Sequence, residues 1–333
     1  MVESRGTRTA SPQVPMSLSR AVECDRCPRP AVVDRPYAAD HLCDPHLAET
    51  VRDRFQRSLR RQLPKFRGRT VAVALSGGKD SAVALSLTHA YFQRRRGVEV
   101  VALTVNEGIR GYRPKTIRSA RALTKTLGVR HVVVRAQKEL GTTTDAAALR
   151  MVGTPPCSYC GVWRRQLLNR AARDAGADAL VLGFNLDDLA QTVLMNVARA
   201  DVARLGRMAP HTVRQDGLVP RVAPLAEVPE REVYLYARAA GLPLDHAECP
   251  FAHRASRNVF REAVWQLEEA LPGTRQSLLR SRETIVHLLE SVGTVTGAPQ
   301  RCAECGEPST GTLCRACEYR RELSAPVMGV AAS

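Results

Sequence analysis

The sequence has no long apolar segment and few aromatic residues. None of its hydrophobic runs approaches the roughly 18 residues that a membrane-spanning helix needs. Residues 1–20 carry arginines but no apolar core, which excludes a secretory signal peptide there. We therefore expect a cytoplasmic protein without membrane contact, with a disordered tail over 1–20 and a C-terminal tail over 321–333. Aromatic residues make up 5% of the chain, but hydrophobic residues make up 44%, which is enough for a core.

Acidic residues are scarce relative to basic ones. The 333 residues include 49 Lys and Arg against 33 Asp and Glu, which gives a formal net charge of +16. This excess indicates a polyanionic partner such as a nucleic acid, although a generally basic protein from an arginine-rich proteome explains it equally well. Residues 51–69 concentrate arginines around apolar positions spaced every four residues. That pattern predicts a basic linker helix with one buried stripe and a phosphate-contacting outer surface.

Cysteine, by contrast, is plentiful, with ten residues in three groups. Their Cys-x2-Cys spacing in a cytoplasmic chain indicates metal sites rather than disulfides. The first and last groups each predict a closed tetrahedral zinc site, hence two Zn²⁺ ions, in small modules over 21–50 and 298–320 that stabilise the fold and could also contact RNA. The predicted ligands are Cys24, Cys27, Cys43 and His46, with His41 as a competitor of His46, and then Cys302, Cys305, Cys314 and Cys317.

From residue 70 to about 242, apolar strand patterns alternate with helical patterns. Strands are predicted over 70–75, 98–105, 129–136, 177–184 and 218–225, and helices over 81–92, 114–128, 161–176, from 187, and over 229–241. Continuous apolar strands that alternate with helices indicate a doubly wound α/β domain, with a five-stranded parallel sheet covered on both faces. We assign this domain to 70–255 and a helical extension to 256–297.

The first predicted strand ends in ALSGGKDSA, residues 74–82. Glycines in a strand-to-helix turn expose backbone N–H groups, the helix N-terminus adds a partial positive charge, and Lys79 adds a full one, so the turn suits phosphate. It lacks the spacing of a Walker A loop and of the dinucleotide-binding fingerprint. Ser-Gly-Gly-Lys-Asp-Ser instead resembles the PP-loop of the ATP pyrophosphatases, which implies adenylation of a substrate oxygen and release of pyrophosphate.

A second turn, GFNLDD over 183–188, follows the fourth predicted strand. Ligands of doubly wound sheets bind at the carboxyl ends of strands, so the two turns are expected to face each other over ATP. Asp188 would hold Mg²⁺ or orient the nucleotide, although Asp187 and Asp188 also suit the role of helix caps. The PP-loop resemblance implies ATP contacts from Leu75, Ser76, Gly77, Gly78, Lys79, Asp80, Ser81, Val105, Gly183 and Asp188.

The middle cysteines, Cys157, Cys160 and Cys249, supply three thiolates. The first two begin a predicted helix, whose dipole favours ionised sulfur together with Arg164 and Arg165. Three cysteine ligands leave one iron of a [4Fe-4S] cluster open, whereas a structural site normally has four ligands. A zinc site completed by His246 or His253 and a plain redox pair remain alternatives.

The order of these motifs is itself informative. The first zinc module, SGGKDS, CSYCG, GFNLDD, ECPF and the last zinc module resemble, in that order, the tRNA 2-thiouridine synthetases of the TtuA and NcsA type over residues 24 to 317. The resemblance implies that ATP adenylates O2 of a tRNA uridine. Sulfide on the open iron of the cluster, or a cysteine persulfide, then replaces that oxygen as AMP leaves.

The same resemblance implies site residues and partners. The catalytic residues would be Asp188, Arg164, Cys157, Cys160 and Cys249. The partners would be tRNA, a sulfur donor (free sulfide or a ubiquitin-like thiocarboxylate carrier) and a second copy of the chain in a homodimer. Members of the family have lysine where this chain has Arg164. Since arginine stays charged, an obligatory proton transfer at this position is not expected, whereas charge stabilisation would survive.

Three other functions use parts of the same pattern. Another adenylating PP-loop enzyme, such as an amidotransferase, has no need of the middle cysteines. A tRNA 2-thiocytidine synthetase could use them but is not expected to carry both zinc modules. A zinc-ribbon RNA-binding protein without catalysis has no need of an intact SGGKDS turn or of Asp188. ATP-dependent uridine thiolation is therefore the leading hypothesis.

Overall fold

The computed structural model describes residues 22–150, 154–243, 247–291 and 300–324. It begins with two antiparallel hairpins, β1 (Glu23–Cys24) with β2 (Cys27–Pro30) and β3 (Val33–Arg35) with β4 (Asp40–Leu42), and a 3-10 turn over Pro36–Ala38. Helix α1 (Asp44–Gln62) follows directly. We call residues 22–46 the N-terminal module. The predicted tail over 1–20 and the end of the predicted C-terminal tail lie outside the described residues.

Helix α1 is displaced from the predicted helix over 51–69. It begins directly after Cys43, because Pro45 in its first turn suits a helix start, and it ends before Pro64. One face of the helix is buried and carries Leu47, Val51, Phe55 and Leu59. The opposite face is exposed and carries Arg52, Arg57, Arg60 and Arg61. The amphipathic pattern was therefore predicted correctly, and only the helix ends differ.

The predicted five-stranded parallel sheet is confirmed. Its strands are β5 (Thr70–Ala74), β6 (Glu99–Asn106), β7 (Arg130–Arg135), β8 (Ala179–Val181) and β9 (Arg221–Val222), in the order β7-β6-β5-β8-β9. The helices between them are α2 (Lys79–Phe92), α3 (Arg113–Leu127), α4 (Ala136–Leu140), α5 (Thr144–Leu149), α6 (Pro156–Asp174), α7 (Leu186–Ala198) and α8 (Val202–Arg207), and α9 (Glu230–Ala239) follows the last strand. Strand β9 is much shorter than predicted, because Pro220 and Pro224 flank it and cannot donate to a strand ladder.

The strands send alternate side chains to two faces of the sheet. Val71 and Val73 of β5 pack into a core with α1, α2 and α9, whereas Ala72 packs into a second core with α6. This alternation follows from the two-residue period of a strand. The sheet is therefore doubly wound, with an apolar layer on each side.

Two further elements complete the chain. Helices α10 (Arg257–Ala270) and α11 (Thr274–Ser291) pack against α7. The C-terminal module, residues 300–324, contains β10 (Gln300–Arg301), β11 (Pro308–Ser309) and α12 (Arg315–Ser324), and it packs against α6. In the part of the chain that the structure describes, no helix is both long enough and apolar enough to cross a lipid bilayer.

The strand order creates one topological switch point. The chain runs from β5 outward through β6 to β7, and then returns to the other side of β5 with β8. Ligand crevices of such sheets open at the carboxyl ends of the strands beside the reversal. The two strands there, β5 and β8, lead into the SGGKDS turn and the GFNLDD turn.

Candidate functional site

The turn after β5 is held in shape by its serines. The Ser81 hydroxyl accepts a hydrogen bond from the Ser76 N–H at 3.1 Å and donates one to the Gly78 carbonyl at 2.9 Å. Gly77 has a φ of +93°, and a Cβ there would lie 2.0 Å from the Thr116 carbonyl oxygen, so only glycine fits. No side chain caps the first turn of α2, which leaves its backbone donors for an anion.

Lys79 lies between two carboxylates at the start of α2. Its ammonium group is 3.0 Å from Asp80 and 2.6 Å from Glu230, the first residue of α9. Burial opposes the positive charge, but the two carboxylates prevail and raise the pKa of Lys79. Lys79 is therefore charged at neutral pH, and a phosphate group would compete with Glu230 for it.

The turn after β8 packs directly against the start of α2. A Cβ at Gly183 would lie 3.0 Å from the Asp80 carbonyl group and from the Ser81 Cα, so the two turns approach each other closely. The Asn185 side-chain amide donates a hydrogen bond to Asp80 at 3.0 Å. Asn185 also forms a capping box with Asp188 at the start of α7. The two predicted turns thus meet at the switch point.

Asp187 is occupied by structural contacts. It accepts a hydrogen bond from the Glu230 N–H at 2.7 Å, and it pairs with Arg275 at 2.7 Å. These contacts join the starts of α9 and α11 to the turn. Of the two adjacent aspartates, Asp188 takes the capping role in α7, and Asp187 is engaged by α9 and α11.

Asp188 lies among like charges. Burial, followed by the negative charge of Asp80, raises the pKa of Asp188 to about 6, and Arg257 offsets this only in part. A cation would relieve the crowding, and carboxylate oxygens are common ligands of Mg²⁺. Asp188 and Asp80 therefore fit a magnesium ion bound beside the phosphates.

Leu75 and Val105 lie beneath the PP-loop turn, and both are buried. The Leu75 N–H donates to the Leu103 carbonyl at 2.8 Å, and its own carbonyl accepts from the Thr104 hydroxyl at 2.6 Å. The Val105 carbonyl accepts from Arg113. The backbone groups of both residues are thus engaged in the protein, and their direct contact with ATP stays a prediction.

The three middle cysteines come from two segments of the chain. Cys157 and Cys160 lie in the first turn of α6, and Cys249 lies in the loop that follows α9. The Cys157 thiol donates to the Phe251 carbonyl at 3.5 Å, which joins this loop to α6. The charges of Cys160 and Cys249 both raise the pKa of Cys157.

The spacing of these sulfurs differs from that of a single-ion site. Cys157, Cys160 and Cys249, which are all described, do not gather within the 4.8 Å that the terminal quartets span. A cubane cluster binds each thiolate at a different iron and so needs a wider spacing than one zinc ion does. Of the alternative zinc ligands, His253 is exposed, and His246 lies outside the described residues. The three sulfurs are therefore not arranged for a single zinc ion, and three thiolates are a donor set that an iron–sulfur cluster accepts.

One expectation about these cysteines was wrong. Burial raises the pKa of Cys157 and of Cys160, and Arg164 lowers each only in part. Arg165 is not among the main influences on the pKa of either cysteine. The helix terminus and two arginines therefore do not favour thiolate by themselves. The positive charge of a bound metal centre would supply the missing stabilisation.

Three charged residues join the two halves of the site. Glu107, directly after β6, is fully buried and pairs with both Arg113 and Arg164. Arg113 donates to the Ser76 carbonyl at 3.1 Å, and Arg164 donates to the Cys160 sulfur at 2.9 Å. The nucleotide turn and the cysteines therefore share one rim of the sheet. Sequence reasoning missed Glu107 and Arg113, although the position of Glu107 at the carboxyl end of a predicted strand was an available signal.

The N-terminal module brings its predicted ligands together. The His46 Nδ1 lies 3.3 Å from the Cys24 sulfur, 3.6 Å from that of Cys27 and 3.4 Å from that of Cys43. The competing His41 lies instead between two aspartates, Asp25 at 3.4 Å and Asp34 at 3.5 Å. Three sulfurs and one imidazole nitrogen at this spacing fit a single tetrahedral ion.

The C-terminal module forms a second quartet from Cys302, Cys305, Cys314 and Cys317, whose sulfurs all lie within 4.8 Å of one another. The Cys305 and Cys314 sulfurs are 3.6 Å apart. Four thiolates in this arrangement also fit one tetrahedral ion. Both quartets can therefore bind a metal ion, and neither leaves a coordination position open.

Comparisons with known proteins agree with this geometry. The family model of the PP-loop domain matches residues 51–268. The chain is 37% identical to the tRNA 2-thiolation protein NcsA of Haloferax volcanii, over 91% of this chain and 100% of that protein. It is 33% identical to the tRNA-5-methyluridine(54) 2-sulfurtransferase of Pyrococcus horikoshii, over 90% of this chain and 93% of that protein.

A solved structure is similar over nearly the whole chain. It is the U34-tRNA thiolase NcsA from Methanococcus maripaludis with its [4Fe-4S] cluster, with a TM-score of 0.78 and 31% sequence identity. The match covers 91% of this chain and 97% of that one. The similarity therefore extends beyond the PP-loop domain.

Proposed function

Because the chain belongs to the PP-loop family and, within it, to the tRNA 2-thiolation proteins, we propose that it is an ATP-dependent tRNA uridine 2-sulfurtransferase. The observation that carries this proposal is that the nucleotide turn and the middle cysteines lie at the same edge of the sheet. Arg113, Glu107 and Arg164 link the Ser76 carbonyl to the Cys160 sulfur by direct contacts. A PP-loop enzyme without sulfur chemistry would have no use for cysteines at the end of that link.

The nucleotide half of the site would activate the substrate. O2 of the uridine attacks the α-phosphorus of ATP, and the bond to the leaving pyrophosphate breaks. The PP-loop turn, with Lys79 and the uncapped start of α2, stabilises the negative charge that develops on the pyrophosphate. Asp188 and Asp80 would hold a magnesium ion, which would neutralise charge on these phosphates. Sulfur then adds to C2 of the uridine, and AMP departs with the original oxygen.

The cysteine half would deliver the sulfur. We infer that Cys157, Cys160 and Cys249 hold a [4Fe-4S] cluster, as the Methanococcus maripaludis thiolase has. With three protein ligands, such a cluster has one iron open for sulfide. Arg164 lies 2.9 Å from the Cys160 sulfur and would stabilise negative charge there without exchanging a proton. The two terminal quartets would each hold a zinc ion.

The surface charge, the exposed apolar residues and the sulfur chemistry of the chain each indicate a partner. The exposed arginines of α1, with the net charge of +16, suit the phosphates of tRNA. The sulfur donor would be free sulfide or a ubiquitin-like thiocarboxylate carrier. Val259, Trp265 and Leu271 expose apolar surface on and beside α10, which suits a homodimer. A cytoplasmic location would keep the ten free cysteines reduced.

The proposal can be tested with purified, anaerobically reconstituted protein, ATP, sulfide and unmodified tRNA. Mass spectrometry of the digested tRNA should find 2-thiouridine or a derivative of it. The Cys249→Ser variant should lose thiolation and retain ATP affinity, whereas Lys79→Ala should weaken ATP binding and retain iron. These reciprocal losses are expected because each residue serves a different half of the site.

Three outcomes would contradict the proposal. Normal thiolation by Cys249→Ser would remove the three-cysteine site. The appearance of 2-thiocytidine would move the chain to the cytidine-modifying enzymes. Binding of tRNA without ATP turnover, at every sulfide concentration tried, would favour a noncatalytic RNA-binding protein.

A further inference from the structure

Glu107 is the most enclosed charged residue of the site. It follows β6 directly, and 0% of its surface is exposed. One carboxylate oxygen accepts from the Arg164 Nε at 2.5 Å, and the other faces the Arg113 Nε. A carboxylate buried to this degree persists only when it is paired, and here it holds two guanidinium groups at once.

Each of these arginines makes a further contact with one half of the site. Arg113, which is 3% exposed, donates to the Ser76 carbonyl at 3.1 Å and also to the Val105 carbonyl. Arg164 donates to the Cys160 sulfur at 2.9 Å through Nη2. Glu107 is therefore the common anchor of the PP-loop turn and of the cysteine helix α6.

The shape of Arg164 explains how it can make both contacts. The guanidinium group is planar and presents its donors in a rigid fork, so Nε can bind the carboxylate while Nη2 reaches the sulfur. A lysine ammonium is a single point on a flexible chain. The orientation of the Arg164 guanidinium group toward the Cys160 sulfur therefore depends on the Glu107 carboxylate, which binds the Arg164 Nε.

We propose that Glu107 is a positioning residue for sulfur transfer, which aims Arg164 at Cys160 and Arg113 at the PP-loop carbonyl of Ser76. The Arg164 part of this inference rests on the proposed function, whereas the Arg113 part requires only that the PP-loop turn binds ATP. Glu107 itself touches no reacting atom. Its loss should therefore act through the two arginines.

The first test measures ATP affinity by calorimetry on iron-free protein. Glu107→Gln should weaken ATP binding by about 10-fold, the size of effect seen when an outer-shell partner of a site is lost. Glu99→Gln is the matched control, because Glu99 begins the strand that Glu107 follows and pairs with Arg130 at an exposed position. Glu107→Asp, which keeps the charge, should recover part of the affinity.

The second test is a double-mutant cycle, which separates positioning from a general loss of stability. If Glu107 acts through Arg164, Glu107→Gln should lower the kcat of thiolation about 10- to 100-fold in the natural chain but add little in an Arg164→Gln background. The same cycle with Arg113→Gln applies to ATP affinity. All variants are compared at a temperature where each is folded, as checked by circular dichroism.

The outcomes are separable from those that test the proposed function. Additive losses in both cycles, or an effect of Glu99→Gln as large as that of Glu107→Gln, would overturn the positioning role even if the protein thiolates tRNA. If the protein does not thiolate tRNA, the cycle of Glu107 with Arg113 on ATP affinity still decides the part of the proposal that concerns the PP-loop. Nonadditive losses in that cycle would uphold it.

Discussion

The two terminal modules have the same kind of metal-binding quartet but lie on opposite faces of the sheet. The N-terminal module packs into the core shared with α1, α2 and α9, whereas the C-terminal module packs into the core shared with α6. The contacts of each module with its neighbouring helix include a hydrogen bond between a tyrosine and a glutamate. The N-terminal module supplies the tyrosine of its pair, Tyr37, whereas the C-terminal module supplies the glutamate of its pair, Glu322.

The N-terminal module is joined to the nucleotide half of the site. The Tyr37 hydroxyl donates to Glu232 on α9, and Glu232 also lies 3.7 Å from Arg35 and 3.5 Å from Arg54. Helix α9 begins at Glu230, whose carboxylate contacts Lys79. The module thus supports the helix whose first residue lies at the PP-loop.

The C-terminal module is joined to the cysteine half. Glu322 on α12 accepts hydrogen bonds from the Tyr159 hydroxyl at 2.7 Å and from the Thr154 hydroxyl at 3.2 Å. These two residues flank Cys157 in the chain. Tyr319 also packs on Tyr159, with ring centroids 4.4 Å apart. Two quartets that could each hold a metal ion are therefore joined to different halves of the site, and the predictions below test that division.

The largest effect should come from removing one ligand of each quartet. Cys317→Ser should release iron and sulfide along with the metal of its own module, while ATP affinity changes little. Cys24→Ser should do the reverse. Metal binding contributes about 10–16 kcal/mol in small zinc modules, so loss of one ligand should unfold the module and its docking contacts. Metal analysis of each purified variant, with calorimetry of ATP binding, checks both halves of the prediction.

Each of these variants is the control for the other. Equal loss of iron from both would show that the modules serve only global stability. Unchanged iron content in Cys317→Ser would show that α6 keeps its cysteines in place without the C-terminal module. Either result would contradict the claim that the two modules support different halves of the site.

A smaller effect is expected from the docking glutamates. Glu232→Ala removes the acceptor of the Tyr37 hydroxyl and one of the two carboxylates beside the buried Arg35, which keeps its pair with Asp40, so the cost should approach about 3 kcal/mol, the lower end for a broken buried pair. Glu322→Ala leaves the Tyr159 and Thr154 hydroxyls without this acceptor, and the buried Tyr159 hydroxyl should cost about 1–3 kcal/mol. The melting temperature should therefore fall further in Glu232→Ala than in Glu322→Ala. Iron content should fall only in Glu322→Ala.

A matched control is available on the same helix as Glu322. Glu318 of α12 pairs with Arg315 at an exposed position, so Glu318→Ala should cost no more than about 1 kcal/mol and should leave the iron content unchanged. A loss of iron in Glu318→Ala equal to that in Glu322→Ala would mean that any disturbance of α12 reaches the cysteines. The specific contact with Tyr159 would then not be the cause.

Features that depend on local spacing were predictable from the sequence. The ligands of each quartet lie within a short segment, and a Cys-x2-Cys or Cys-x2-His pair already fixes their approach. The alternation of apolar strands with helices fixed the parallel sheet, and the two turns at β5 and β8 followed from the rule for its switch point. The length of one strand, predicted over 218–225, was badly overestimated. This segment is apolar but contains Pro220 and Pro224, which limit strand pairing, and the prediction gave the two prolines too little weight.

Contacts between distant charged residues were not predictable in the same way. Glu107, Arg113 and Glu322 look like ordinary surface residues in the sequence, because a charge reveals nothing of its burial until its partner is known. Glu322 meets Tyr159 across 163 positions of the chain. A parallel sheet brings such segments together only through its whole topology. The link between the two halves of the site is therefore a property of the fold.

The smallest expected effect concerns the two docking tyrosines at high pH. Burial and then the charge of Glu232 raise the pKa of Tyr37 to about 12, and burial and then the hydrogen bond to Glu322 raise the pKa of Tyr159 to about 12. The ordinary value is about 10. Since the folded state holds these protons more tightly than the unfolded state, each tyrosine's contribution to stability is complete below about pH 10 and is lost as the pH rises toward about 12.

The free energy of unfolding should therefore fall more steeply between about pH 10 and 12 in the natural chain than in Tyr37→Phe or Tyr159→Phe, because phenylalanine has no proton to lose. Urea unfolding at several pH values measures the slope. Tyr234→Phe is the control, since Tyr234 lies on α9 and is 38% exposed. Equal slopes in all four proteins would show that neither hydroxyl docks its module through its proton. A change in Tyr37→Phe alone would mean that the C-terminal module is held on α6 by ring packing with Tyr319 rather than by Glu322.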